Sequence, residues 1–132
     1  MQVDWILAGP VSAEAGSPTR SDADELRNRI QQLVAQHGGY VEVSKAGEPY
    51  PTLTLSISDD LAVVHYFRGA DSCLLLQGDG LVPADHFRDF QVPDVLAPFT
   101  GNFISSSARA AGLIDAFARG ADPDQLGIWS EL

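Results

Sequence analysis

At 132 residues the chain is the size of one domain, long enough to bury a core without disulfides or a structural metal. An apolar fraction of 45% with 20% charged residues is ordinary for a soluble globular protein. Eighteen acids against eight Lys and Arg give a net charge of −10, which repels nucleic-acid phosphates and anionic headgroups and favours a basic partner, or no particular partner.

The single cysteine, Cys73, excludes an internal disulfide and a multi-thiolate zinc site. Inside the run Cys73-Leu74-Leu75-Leu76 it reads as a small buried hydrophobe. Met1 to Gly9 has no basic leader, and its apolar portion is too short for a signal peptide. No run approaches the ~18 apolar residues that span a bilayer, so a cytoplasmic protein is expected.

In chain order, Val3 to Ala8 is a candidate strand with Trp5 on the side opposite Asp4 and Ile6. Gly9 to Arg20, rich in Gly, Pro, Ser and Ala, reads as a loop. Ser21 is the expected N-cap of a first helix, with Asp24 three residues on. Leu26, Ile30, Leu33 and Val34 form its apolar stripe, and Gly38-Gly39 ends it. Tyr40 to Ser44 alternates as a strand, closed by the turn Ala46-Gly47-Glu48-Pro49.

The hairpin at the centre of the fold follows. In Thr52 to Ser58 the apolar Leu53, Leu55 and Ile57 alternate with hydroxyl residues, which predicts one buried face and one wetter face. Ser58-Asp59-Asp60 turns the chain, and Leu61 to Phe67 is apolar on both faces, as a strand covered on two sides would be. Ser72 to Gln77 supplies another strand, ended by Gly78-Asp79-Gly80. Leu81 to Pro98, with three prolines, reads as irregular around one short strand near Phe87 to Val92. Ser105 to Arg119 is a second helix capped from the Ser105-Ser106-Ser107 run, and Asp122-Pro123-Asp124 turns into a closing Gly127 to Leu132. The short connections predict an α+β domain: an antiparallel meander of about four to six strands with two helices packed on one face.

The residue pattern offers little chemistry. His37, His65 and His86 are not spaced from each other or from Cys73 as metal ligands, and no cofactor or metal is expected. His37 falls near the apolar face at the end of the first helix, and His65 reads as a hydrogen-bonded core residue. A His65–Cys73 dyad requires both side chains on one side of the sheet. Pairing Phe67 with Ser72 opposes Tyr66 to Cys73 and His65 to Leu74, which puts the two on opposite sides unless the register slips by one. Gly78-Asp79-Gly80 matches no phosphate-binding loop, Asp122-Pro123-Asp124 no calcium loop, and no basic stripe suits nucleic acid.

What stands out is acidity with aromatic anchors. From Asp59 to Asp94 seven acids (59, 60, 71, 79, 85, 89, 94) face two arginines (68, 88), several at turns that could meet at one rim of the sheet. Trp5 and Trp129 fit either core or interface.

Several runs carry a resemblance. They are Gly-Gly-Tyr-Val-Glu-Val (38–43), Tyr-Pro-x-Leu-x-Leu-x-Ile (50–57), Leu-Ala-Val-Val-His-Tyr-Phe (61–67), Gly-Asp-Gly (78–80), a helix after Phe103, and Leu-Gly-x-Trp-x-Glu-Leu (126–132). Together they resemble immunity protein family one of bacterial polymorphic toxin systems, as found in actinobacteria. The likeness covers residues 21–132 of a single domain spanning 1–132, and residues 1–20, a strand plus loop, add nothing to it. It implies a non-enzymatic cytoplasmic antitoxin that binds a toxin domain one to one. The toxin would be a nucleic-acid (cytidine) deaminase or, alternatively, a nuclease. The family supplies no catalytic residues, so interface candidates come from this sequence alone: Asp59, Asp60, Asp79, Asp85, Asp89, Trp129 and Glu131. Two readings compete. A small enzyme would need His65 or His86 beside a carboxylate in a pocket, and a regulatory subunit would show a large exposed apolar patch.

Overall fold

The computed structural model describes residues 2–8, 18–92 and 95–131. Among these residues ten strands and two α-helices form an α+β fold, with more strands than the sequence pattern suggests. The main sheet contains β1 (Gln2–Ala8), β2 (Thr19–Asp22), β3 (Gly38–Lys45), β4 (Thr52–Ser58), β5 (Leu61–Gly69), β6 (Ser72–Leu76) and β10 (Trp129–Glu131) in the order β10-β6-β5-β4-β3-β1-β2. The two-residue β9 (Ser105–Ser106) also pairs with β5, beside its first residues. Every pairing is antiparallel.

Helices α1 (Ala23–Ala35) and α2 (Ser107–Ala118) cover one face. The stripe Leu26, Ile30 and Leu33 joins Ala110, Leu113, Ile114 and Phe117 over Val41, Val43, Leu53, Leu55, Val64 and Leu76, all buried. The hydroxyl side chains of β4 point the other way. There a hairpin of β7 (Phe87–Gln91) and β8 (Leu96–Thr100) forms a second layer, and Phe90 packs with Val63, Leu75 and Ile104 in a smaller core. This explains why β5 is apolar on both faces: helices cover one side and the hairpin the other.

Several sequence expectations are corrected. Thr19 and Arg20 belong to a strand pairing with β1, not to a loop, and most of the expected loop (residues 9–17) lies outside the described residues. Ser21 does not cap α1. It faces the core, where its Oγ accepts a 2.8 Å hydrogen bond from the Trp5 indole, so the cap passes to Asp22, whose carboxylate accepts from the Glu25 amide at 2.9 Å. The turn out of α1 uses His37 in the left-handed region (φ 61°), while Gly38 and Gly39 already belong to β3. His37 is exposed there, away from the apolar face. Gly39 adopts φ 135°, a conformation that L side chains rarely take, and a Cβ there would also crowd the Ala8 carbonyl oxygen at 3.1 Å and the tip of Leu33 at 2.6 Å, so the position favours glycine. The second helix begins at Ser107, capped by the Ser106 hydroxyl, with Ser105–Ser106 forming β9. In the stretch expected to be irregular, β8 contains Pro98, tolerated because a two-stranded ribbon leaves an edge free of ladder bonds.

Candidate partner-binding surface

Asp59 and Asp60 form the β4–β5 turn, with Asp59 in the left-handed region (φ 54°) and its amide bonded to the His37 carbonyl at 2.9 Å. The Asp60 carbonyl accepts from Ser107 N at 2.8 Å, and Asp79 Oδ2 accepts from Ser106 N at 2.9 Å. Asp59, Asp60 and Asp79 therefore meet at the end of the sheet where α2 begins. They are not equally free. Arg88 of β7 forms an ion pair with Asp59. Asp79 also accepts from Leu81 N at 3.2 Å, and it serves as an acceptor at the positive end of α2. Burial alone would raise its carboxyl pKa, but the two amide bonds and nearby Arg109 outweigh it and hold it below the usual range. Asp60 is left exposed.

The hairpin carries the other acids. Alternation along β7 buries Phe90 and sends Phe87 and Asp89 outward. Across the ladder Phe87 opposes Thr100, Asp89 opposes Pro98 and Gln91 opposes Leu96. The outward face therefore shows Phe87 (69% exposed), Leu96 (66%) and Pro98 around Asp89. Asp85 is exposed in the loop just before β7, and that loop is tied to Gly101, the residue after β8, by a 3.0 Å bond from Gly101 N to the His86 carbonyl. Phe87 and Leu96 were not among the residues expected at an interface. The signal was the Phe87-x-Asp89-x-Gln91 alternation opposite Phe90, hidden by the prolines.

The remaining candidates separate. Trp129 on β10 packs against the main core edge-on to Tyr66 (centroids 5.0 Å apart) and donates its indole N–H to the Pro123 carbonyl at 2.9 Å. Glu131 is exposed on the same edge strand opposite Leu74. Asp71 lies in the β5–β6 turn at the opposite end of the sheet, and Asp94 falls outside the described residues. The positive charges are largely occupied: Arg20 pairs with Asp4, Arg68 with Asp124, Arg119 with Asp24 and Asp115.

The His65–Cys73 geometry needs correction too. Phe67 pairs with Cys73 and His65 with Leu75, because Arg68 is an extra residue in a bulge between Phe67 and Gly69. The register slips by one, and both side chains share the hairpin-covered face. They are diagonal neighbours, a spacing of roughly 7–8 Å between Cα atoms. His65 instead stacks on Phe67 and meets the edge of Phe99, and burial pushes its pKa down to about 4. Burial also pushes the Cys73 thiol up, whereas a thiolate–imidazolium pair needs the opposite shifts. His86 Nε2 lies 4.0 Å from Asp85 Oδ1, with both side chains exposed, beyond hydrogen-bond range. Among the described residues no group of three or more His, Cys, Asp or Glu could hold a metal ion. Nor is any helix among them long and apolar enough to cross a membrane.

No protein-family model matches the chain, and no curated protein matches it.

Proposed function

We propose that the protein is an immunity protein that binds a basic, nucleic-acid-acting toxin domain, of the deaminase type, one to one and blocks its active-site cleft in the cytoplasm without performing a reaction. The observation that carries this is the outward face of the β7–β8 hairpin. Phe87 and Leu96 stand exposed there beside Asp89, with Asp85 alongside. Apolar anchors set beside acids suit a partner whose cleft is basic at the rim and holds stacking surfaces for bases. With much of the chain's cationic charge held in internal ion pairs, the exposed carboxylates dominate the outward field, which would steer a basic domain to this face. The resemblance of residues 21–132 to immunity protein family one supplies the identity of the partner.

The test is co-expression with the toxin domain encoded beside the gene. Growth should be restored, a 1:1 complex should elute, and the association rate should fall as salt rises from 50 to about 300 mM. Phe87→Ala with Leu96→Ala, or Asp85→Asn with Asp89→Asn, should weaken binding by an order of magnitude or more while the fold persists. Inability to neutralise any adjacent toxin would sink the reading. Scoring deaminated against cleaved nucleic acid in unprotected cells distinguishes the deaminase partner from a nuclease.

A further inference from the structure

The hairpin covers the non-helical face of the sheet only in part. It reaches His65, whose ring meets Phe99 of β8. Beyond that point Glu42, Pro49, Tyr50, Thr52, Thr54 and Phe67 line an open cavity of about 300 Å³. Its walls are of two kinds. Phe67 is a half-buried ring held nearly parallel to His65 (15° between planes), and Tyr50 is 42% exposed at the mouth. Facing the same space is the Glu42 carboxylate, oriented by a 2.7 Å hydrogen bond that the Tyr40 hydroxyl donates to Oε1.

A cavity that joins aromatic surface to one oriented carboxylate matches a planar cation. A guanidinium can stack on a ring while it donates hydrogen bonds to a carboxylate, and it loses less hydration than an ammonium does. Charge on this face favours a cation from outside. Asp4, further across the same face, is already bound by Arg20 through two bonds and by the Gly47 amide. Glu42 is paired with no arginine or lysine among the described residues. A purely apolar occupant would leave the Glu42 carboxylate desolvated without a counter-charge.

We propose that this cavity is a binding site for an arginine side chain of a protein partner, with Glu42 as the anion and Phe67 and Tyr50 as the stacking surfaces. The site lies away from the outward face of the hairpin, and it does not depend on the toxin reading.

Titration of ¹⁵N-labelled protein with N-acetyl-arginine amide tests it without any partner. Saturable shifts should appear at the amides of Glu42, Thr52, Thr54 and Phe67, and N-acetyl-citrulline amide, the neutral near-isostere, should bind about ten-fold more weakly. Glu42→Gln keeps an acceptor for the Tyr40 hydroxyl and should lower arginine affinity to the citrulline level. Phe67→Leu keeps the apolar volume and should weaken arginine several-fold. Equal binding of arginine and citrulline, an unaffected Glu42→Gln protein, shifts mapped elsewhere, or a preference for N-acetyl-leucine amide would each overturn the proposal. A toxin that is neutralised normally by Glu42→Gln protein leaves the immunity reading intact, so the two ideas fail separately.

Discussion

Phe90 is the point at which the hairpin is fastened to the sheet, and Phe90→Ala tests whether the second layer is held by burial alone. The side chain is fully buried against Val63, Leu75 and Ile104, and its ring meets Phe99 edge-on at 5.9 Å. Removing a buried Phe costs about 3–5 kcal/mol, including the lost transfer energy and the cavity left behind. A chain of this size has roughly 7–20 kcal/mol of total stability, so the variant should still fold. The loss should not spread evenly. The helix-covered core shares no residue with the hairpin core, so α1, α2 and β3 should keep their hydrogen-exchange protection while β7 and β8 lose theirs. Urea unfolding gives the total, and exchange resolved by residue gives the distribution. A loss below about 1 kcal/mol, or protection falling equally in α1 and β7, would refute the idea of two separable layers.

The capping swap at α1 predicts unequal costs: Asp22→Ala should lose about 1 kcal/mol by thermal melting, whereas Ser21→Ala, which strands the buried Trp5 indole N–H, should lose 1–3 kcal/mol. His65 predicts a pH dependence. Its folded pKa of about 4 lies below the unfolded value near 6.5, so the unfolded chain binds the extra proton and stability falls as pH drops through that window. The total is on the order of 3 kcal/mol, and His65→Leu should flatten the urea midpoint between pH 6.5 and 5. Asp79, with its pKa lowered, stabilises above the ordinary carboxylate range and loses that contribution as pH falls below about 4, so Asp79→Asn should shrink the acid limb of the unfolding curve. Ser56 Oγ is buried under the hairpin with no hydrogen-bond partner among the described residues, so Ser56→Ala should be neutral or stabilising by up to about 1 kcal/mol in the same urea assay.

The central hairpin was legible from its patterning, except that the face of β4 expected to be wetter is covered by the β7–β8 layer, with Thr54 and Ser56 both buried. Leu53, Leu55 and Ile57 alternate in β4, and β5 lacks alternation because both its faces are covered. The α1 stripe was legible for the same reason. What escaped was decided by partners far along the chain. Nothing near Ser21 says that Trp5, sixteen residues earlier, needs its hydroxyl, and so the cap moved by one. Nothing local says that Arg68 will leave the ladder, yet its guanidinium lies 5.3 Å from the Tyr66 ring centroid and pairs with Asp124 on the far turn. That one-residue bulge reversed which face Cys73 shares, so a facing argument built on ideal pairing failed.

The acidic candidates show the same division between composition and geometry. The excess of carboxylates around residues 59–94 is a property of composition and was read directly. Which of them are available is a property of tertiary placement. Asp59 is paired with Arg88 across the two layers, and Asp79 is occupied by amides at the start of α2. Among the described residues Asp60, Asp85 and Asp89 are exposed without an arginine partner, with Asp89 on the outward apolar face of the hairpin and Asp85 in the loop just before β7. A docking surface needs both ingredients, since charge sets the encounter rate and buried apolar contact sets the lifetime of the complex. Phe87 and Leu96 supply the second. They come from two different strands that meet only through their pairing, and this placed them beyond any reading of local periodicity.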